Sequence, residues 1–159
     1  TMINRYGQCL VLALGLQLAL PVGAKMEHGV MVHNANARAT FAMATTAAVY
    51  LTLMNHGDTA FTLTGVSVPA DIASEAQIHT TVMEGDMMRM RQVTDGIDVA
   101  PDNMVEFKPG GYHVMLMGLV NPLTKGNKFN LTLHFADQQS KTVEVTVGEQ
   151  GKQGGHHHH

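Results

Sequence analysis

The chain has 159 residues, enough for one domain with a substantial core, and a formal net charge of −3. Charged residues make up only 14% of it and form no basic patch, so nothing in the composition indicates nucleic-acid binding. The unusual feature is the presence of twelve methionines and ten histidines, because thioether and imidazole groups together favour a soft-metal site.

Residues 1–24 have the features of a cleaved secretory signal. Arg5 supplies a positive charge, Leu10 to Leu20 is an apolar run too short to span a bilayer comfortably, and small residues precede a cleavage point after Ala24. Cleavage there removes one of 10 basic residues and none of 13 acidic ones, which leaves 9 and 13, or −4. We therefore expect an exported protein with no membrane anchor after cleavage; a retained anchor is the alternative.

The only cysteine, Cys9, lies inside this signal. The mature chain would then contain no disulfide, no zinc finger and no cysteine nucleophile. The same absence excludes a blue-copper electron-transfer site, which requires a thiolate ligand.

In chain order, a flexible arm over residues 25–34 precedes a single domain over 35–148. Within that domain eight alternating segments, separated by turn residues, predict strands at 49–54, 61–68, 76–83, 87–93, 104–108, 112–119, 130–135 and 141–147. Short strands at this spacing predict an all-β fold, an antiparallel β-sandwich or barrel. Residues 149–159 form a polar tail whose last four histidines are typical of an expression tag; a native metal-binding tail is the alternative.

The strand at 112–119 carries the first candidate ligands. Side chains alternate along a strand, so His113, Met115 and Met117 share one face. Imidazole and thioether groups thus project from one side of the sheet.

The hairpin around Glu84-Gly85-Asp86 carries the second candidate pair, and its register decides the geometry. With a three-residue loop, Met90 would point away from His79; with a four-residue connection from Glu84 to Met87, Met90 faces Thr81 and lies on the face of His79. We predict the second register, which also brings Met83 and Met88 to that face.

Two thioethers and two neutral imidazoles suit Cu(I), because thioether sulfur is soft and uncharged. Such a set favours a carrier that binds and releases the ion over a redox catalyst, which keeps an open coordination position. We expect Met83, Met88 and Met117 to form a hydrophobic surround for the ion, Met54 and Met104 to be core or surface residues, and His56 and His134 to face solvent.

The complete pattern resembles the PCu(A)C family of periplasmic copper chaperones. It consists of His79, ten residues, Met90, and then His113-Val114-Met115 preceded by Lys108-Pro109-Gly110-Gly111-Tyr112. The stretch from Val82 to Arg91 resembles the hairpin of the family, and the likeness runs from about residue 32 to residue 147. The family has 21 residues between the Met and the second His, whereas 22 separate them here; the extra residue falls in the turn-rich stretch 94–103.

This resemblance implies a cupredoxin-like β-barrel that binds one Cu(I) through His79, Met90, His113 and Met115 and delivers it in the periplasm. The usual recipient in the family is the CuA centre of cytochrome c oxidase, sometimes with a thioredoxin-like Sco-type thiol protein. Supply or storage of copper for another membrane copper enzyme, such as an oxygenase, is an alternative. Two other classes stay open: a copper-dependent redox enzyme, and a β-sandwich scaffold without metal.

The start of the mature chain has a second group of metal-ligand residue types. Met26, His28, Met31 and His33 lie within eight residues of each other. They are either incidental residues of the arm or an auxiliary copper site, which would hold Cu(II) through His28, His33 and the α-amino group. Cleavage before Lys25 leaves no histidine at the terminus, which argues against the histidine brace of copper monooxygenases.

Overall fold

The computed structural model describes residues 29–149, and all the regular elements in this range are β-strands. The strands are β1 (Val30–Arg38), β2 (Thr46–Asn55), β3 (Phe61–Ser67), β4 (Ala73–Glu84), β5 (Met87–Gln92), β6 (Ile97–Val99), β7 (Met104–Phe107), β8 (His113–Leu119), β9 (Lys128–Phe135) and β10 (Ser140–Gly148). No helix in the described range is long and apolar enough to cross a membrane.

The strands form one hydrogen-bonded sheet in the order β5-β4-β8-β2-β1-β10-β9-β3-β6, with β7 paired to β2 beside β8. Every pairing is antiparallel except that of β1 with β10, which is parallel. The sheet is therefore mixed, whereas the sequence predicts an antiparallel one.

The buried apolar side chains form one hydrophobic core, and its membership follows from alternation along each strand. In β2, Val49, Leu51 and Leu53 are buried, whereas Tyr50 and Met54 on the other face are only partly buried. Further inward-facing residues come from β8, β9 and β10: Val114, Leu116, Leu131, Leu133, Val145 and Val147. This alternation fixes which side chains of β8 and β4 point outward, and three of the four candidate ligands, His79, His113 and Met115, are among them.

The β4–β5 hairpin forms one edge of the sheet. Glu84 pairs with Met87, so the turn consists of Gly85 and Asp86 alone. Gly85 has a φ of 62°, which suits the first central position of a tight hairpin turn of type II′. On the face of the hairpin opposite to that of Met90, the exposed Glu84 forms ion pairs with Arg89, at 3.1 Å, and with Arg91.

All eight predicted strands are present, and the structure adds β1 and β6. Residues 30–34, expected in a flexible arm, form the first half of β1 and pair with β2. The register shifts between His33 and Asn36, and Asn34 has a φ of 53°, so this bulge interrupts the alternation by which a strand is recognised in a sequence. The predicted signal over 1–24, residues 25–28 of the arm and residues 150–159 of the tail lie outside the described residues.

Candidate metal centre

His79 and His113 are at the centre of the candidate site. They lie directly opposite each other on the adjacent strands β4 and β8. Their ring centroids are 5.7 Å apart and the ring planes are inclined by 49°. Because opposite residues in an antiparallel pair project from the same face, both rings point to the outer side of the sheet.

Each ring uses one nitrogen in a hydrogen bond and leaves the other without a partner. His113 donates from Nδ1 to the carbonyl oxygen of Gly111 at 3.3 Å, and His79 donates from Nε2 to Oε1 of Gln77 at 2.9 Å. The remaining nitrogens, Nε2 of His113 and Nδ1 of His79, are buried and have no hydrogen-bond partner within the described residues. A buried polar atom without a partner is costly, and a metal ion would satisfy both atoms at once.

A short polar chain on β4 orients the His79 ring. Gln77, two residues away on the same face, donates from its amide nitrogen to a carboxylate oxygen of Glu75 at 2.5 Å. That bond turns the amide oxygen toward His79, where it accepts from Nε2. The lone pair of His79 is therefore on Nδ1, as a ligand at this position requires.

The two imidazoles differ in their surroundings. His113 is only 6% exposed, whereas His79 is half-buried. Burial, and secondarily the charge of a protonated His113, lower the pKa of His79 below its ordinary value. This lowering of the pKa favours the neutral form of His79, which is the form that binds metal.

The two methionines lie one row away from the histidine pair, on opposite sides. Met90 pairs with Thr81, so it projects from the face of His79, diagonally across β4 and β5. Met115 pairs with Gln77 and lies two residues beyond His113 on the same face of β8. Diagonal neighbours have Cα atoms about 7–8 Å apart, which long side chains can bridge.

The predicted hairpin register is confirmed, since Met83 pairs with Met88, Thr81 with Met90 and His79 with Gln92. Three adjacent strands thus bring His79, Met90, His113 and Met115 to one face. The site contains two sulfurs and two nitrogens and no carboxylate donor. Over residues 29–149 no group of three or more His, Cys, Asp or Glu side chains could hold a metal ion, so a metal site here depends on thioether sulfur.

Met90 is more accessible than the two imidazoles, whereas Met115 is partly buried like His79. Met90 is 60% exposed on the edge strand, and Met83 and Met88, which share its face as predicted, are 63% and 65% exposed. Met83 and Met88 therefore form an open methionine surface next to Met90. The predicted packed hydrophobic surround is wrong for these two residues, because both are exposed. Met117 is partly buried opposite Glu75 on the same face.

The other histidines and methionines lie elsewhere. His56 and His134 are exposed, as expected, and the Nε2 of His134 is 2.7 Å from the Ser67 hydroxyl. Of the auxiliary group, Met31 and His33 lie on the outer face of β1, whereas Met26 and His28 are outside the described residues. Met104 is exposed and Met54 partly buried.

Solved structures confirm the predicted fold class. The chain is similar to the copper-bound PCuAC domain from PmoF2, with 25% identity and a TM-score of 0.60 over 76% of this chain and 93% of that one. It is also similar to a protein from Deinococcus radiodurans. The Cu(I)-bound form of that protein matches with 30% identity and a TM-score of 0.59, over 80% of this chain and 83% of that one. The apo form matches with 28% identity and a TM-score of 0.62, over 98% of both chains. Fold and site together define a cupredoxin-like domain with a candidate soft-metal site.

A family comparison narrows the class further. The family described as "Putative lipoprotein LpqE-like" matches residues 30–147, and a "Putative lipoprotein" of Leifsonia xyli subsp. xyli is 35% identical over 82 residues, 52% of this chain and 49% of that protein. An uncharacterized protein of Rickettsia prowazekii is 31% identical over 100 residues, 63% of this chain and 54% of that protein, so the chain spans about half the length of the curated relatives it matches. The chain belongs to the LpqE-like family and, with it, to the PCu(A)C group of domains.

Proposed function

We propose that this protein is a periplasmic copper chaperone that carries one Cu(I) between His79, His113, Met90 and Met115. The observation that carries the proposal is the pair of buried, unpartnered nitrogens, Nδ1 of His79 and Nε2 of His113, on facing rings. Both rings are already held in the tautomer that exposes a lone pair on that nitrogen. The similarity of the whole chain to copper-bound structures supports copper as the metal.

The donor set supports Cu(I) as the cargo. Thioether sulfur is a soft ligand that prefers Cu(I), and two neutral imidazoles add affinity without charge. A site of neutral donors does not favour the higher charge of Cu(II), so the ion would travel without a redox step. The protein would act as a carrier, not as an enzyme.

The unequal exposure of the ligands suggests how the ion is released. His113 is 6% exposed and Met90 is 60% exposed, so an incoming ligand would reach the ion from the side of the hairpin. Met90 would be displaced first, while the imidazoles hold the ion until exchange is complete. Met83 and Met88 next to it would offer further thioethers along the route.

We infer that the recipient is a copper enzyme facing the periplasm, with the CuA centre of cytochrome c oxidase as the leading candidate and a Sco-type thiol protein as a partner. Another membrane copper enzyme, such as an oxygenase, is the alternative. These two recipients are distinguished by incubating the Cu(I)-loaded protein, without oxygen, with the apo CuA domain or with an apo oxygenase domain. Copper is then measured in each protein after chromatography.

Binding itself is tested by titration with a Cu(I) chelator. His79→Ala and His113→Ala should each weaken Cu(I) binding at the tightest site, whereas His134→Ala, an exposed histidine on β9, should not. A chain in which His156–His159 are replaced by glutamine serves as the parent, so that the terminal histidines do not compete. Equal Cu(I) affinity in all four proteins would overturn the proposal.

A further inference from the structure

Three methionines form a row across the outer face of β1, β2 and β7. Met31 of β1 pairs with Met54 of β2, and Met54 pairs on its other side with Met104 of β7. The three side chains come from distant parts of the sequence, and only the strand pairing brings them together.

The alternation of each strand places all three on the solvent side. Their chain neighbours Val32, Leu53 and Val105 belong to the core or pack against it. Met31 is 43% and Met104 58% exposed, and Met54 between them is partly buried. The row is therefore open to a ligand from solution.

The spacing allows the three sulfurs to meet. Directly opposite residues in antiparallel strands have Cβ atoms about 4.5–5.5 Å apart, so Met54 stands between neighbours at that distance on either side. Methionine is unbranched and has three rotatable bonds, so the outer two side chains can lean toward the central one.

A histidine lies in the adjacent row of the same face. His33 pairs with Thr52, one row from the pair Met31–Met54, and is exposed. An imidazole two residues along a strand from Met31 is about 7 Å away, close enough to add a fourth donor. Glu106 lies beyond Thr52 in that row.

We propose that Met31, Met54 and Met104, with His33 beside them, form a second Cu(I) site. Three thioethers are soft, uncharged donors, and they discriminate against zinc and calcium. In this site Met31 and His33 would bind the ion together with Met54 and Met104. From the sequence alone, Met54 and Met104 are expected to be core or surface residues. The expected cargo is Cu(I), whereas the auxiliary site read from the sequence of the arm would hold Cu(II).

This site is separate from the first. Ala48 of β2 pairs with Met115, and Met54 lies six residues further along the same strand. Six residues of an antiparallel strand span about 20 Å. The second site also lacks the pre-oriented pair of buried imidazoles, so we expect it to fill after the first.

The test is a titration of the full chain with Cu(I) under anaerobic conditions, followed by NMR of protein labelled at its methionine methyl groups. The first equivalent should move the methyl signals of Met90 and Met115, and the second those of Met31, Met54 and Met104. His156–His159 are replaced by glutamine, as in the parent of the binding titration, so that the terminal histidines take up none of the added metal, and each methyl reports on its own residue.

Two variants make the result specific. The first is Met54→Leu, and the second combines Met31→Leu with Met104→Leu at exposed positions. Each should abolish the second set of shifts and leave the first unchanged. The control is Met43→Leu, at an exposed methionine in a turn, which should alter neither set. Stationary signals of Met31, Met54 and Met104 up to three equivalents would overturn the second site, as would shifts of Met31 and Met104 that persist in Met54→Leu. Absence of the first set would instead contradict the proposed function.

Discussion

His79 and His113 face each other across β4 and β8, and each has one ring nitrogen hydrogen-bonded and the other buried without a partner. The two bonded nitrogens are different atoms, Nε2 in His79 and Nδ1 in His113. Both bonds therefore leave a lone pair free on the nitrogen that has no other partner. The pair is organised before any ion arrives, which lowers the ordering cost of binding.

The first prediction concerns Gln77, whose amide oxygen accepts the hydrogen bond from His79. Gln77→Ala should weaken Cu(I) binding by about 10–100-fold, because partners of this kind orient ligand rings. Gln92→Ala, which removes an amide from the exposed edge strand and leaves the bond between His79 and Gln77 intact, is the matched control. Chelator competition measures both, and equal affinities would show that Gln77 has no positioning role.

The second prediction concerns stability of the metal-free protein. The lowered pKa of His79 means that the unfolded chain binds a proton more readily than the folded one at this position. The contribution of neutral His79 to the free energy of unfolding is therefore present above about pH 6.5, the pKa of histidine in the unfolded chain. This contribution is lost as the pH falls below that value. Urea unfolding at pH 5 and 7 should show this loss, and His79→Asn should reduce it. An unchanged pH dependence in the variant would contradict the assignment.

The third prediction concerns copper binding and pH. Protons and Cu(I) compete for the same ring nitrogens, so Cu(I) affinity should fall as the pH is lowered from 7.5 to 5. Chelator competition at each pH, with the pH dependence of the chelator itself subtracted, gives the curve. A flat curve over this range would argue against both histidines as ligands.

The fourth prediction concerns the hairpin turn. Gly85 has a φ of 62° and no atom within 4 Å of an added Cβ, so Gly85→Ala introduces backbone strain without a steric clash. We expect a loss of about 1–2 kcal/mol in the free energy of unfolding. Cu(I) affinity should also fall, because the turn sets the register of Met90.

Gly65→Ala is the control for this prediction. Gly65 likewise has open space around it but lacks a positive φ. Thermal unfolding of the two variants should differ accordingly. Equal destabilisation would mean that the turn conformation is not the cause.

Much of the fold is predictable because the strands alternate clearly. Val143, Val145 and Val147 share one face of β10, and Pro or Gly marks the end of several other strands. β1 escapes this reasoning because its bulge at Asn34 interrupts the pattern. The parallel pairing of β1 with β10 joins strands about 110 residues apart, and local periodicity contains no information on such contacts.

The candidate site was predictable in part for a similar reason. The register of β4 and β5 follows from one local turn, so the common face of His79 and Met90 can be worked out from sequence. The pairing of His79 with His113 depends on the position of β8 beside β4, which is a long-range contact. The polar chain through Gln77 is local to β4, but it depends on side-chain conformations that strand alternation does not fix. The row of Met31, Met54 and Met104 depends on two such contacts and could not be found by local reasoning.

The fifth prediction concerns the thioethers. Met90→Leu with Met115→Leu should weaken Cu(I) binding at the tightest site by about 100-fold, which corresponds to about 1.4 kcal/mol for each sulfur. Leucine preserves volume and apolar character, so the fold should be retained. Chelator competition measures the Cu(I) affinity of the double variant and of the Met43→Leu control. Unchanged affinity in the double variant would show that neither sulfur is a ligand.

The central claim, a Cu(I) ion held by two imidazoles and two thioethers, is tested most directly by X-ray absorption. The sample is the full chain with His156–His159 replaced by glutamine, loaded with one equivalent of Cu(I) without oxygen. The spectrum should show an absorption edge typical of Cu(I) and a first coordination shell of two nitrogen and two sulfur neighbours. A first shell without sulfur would contradict the central claim.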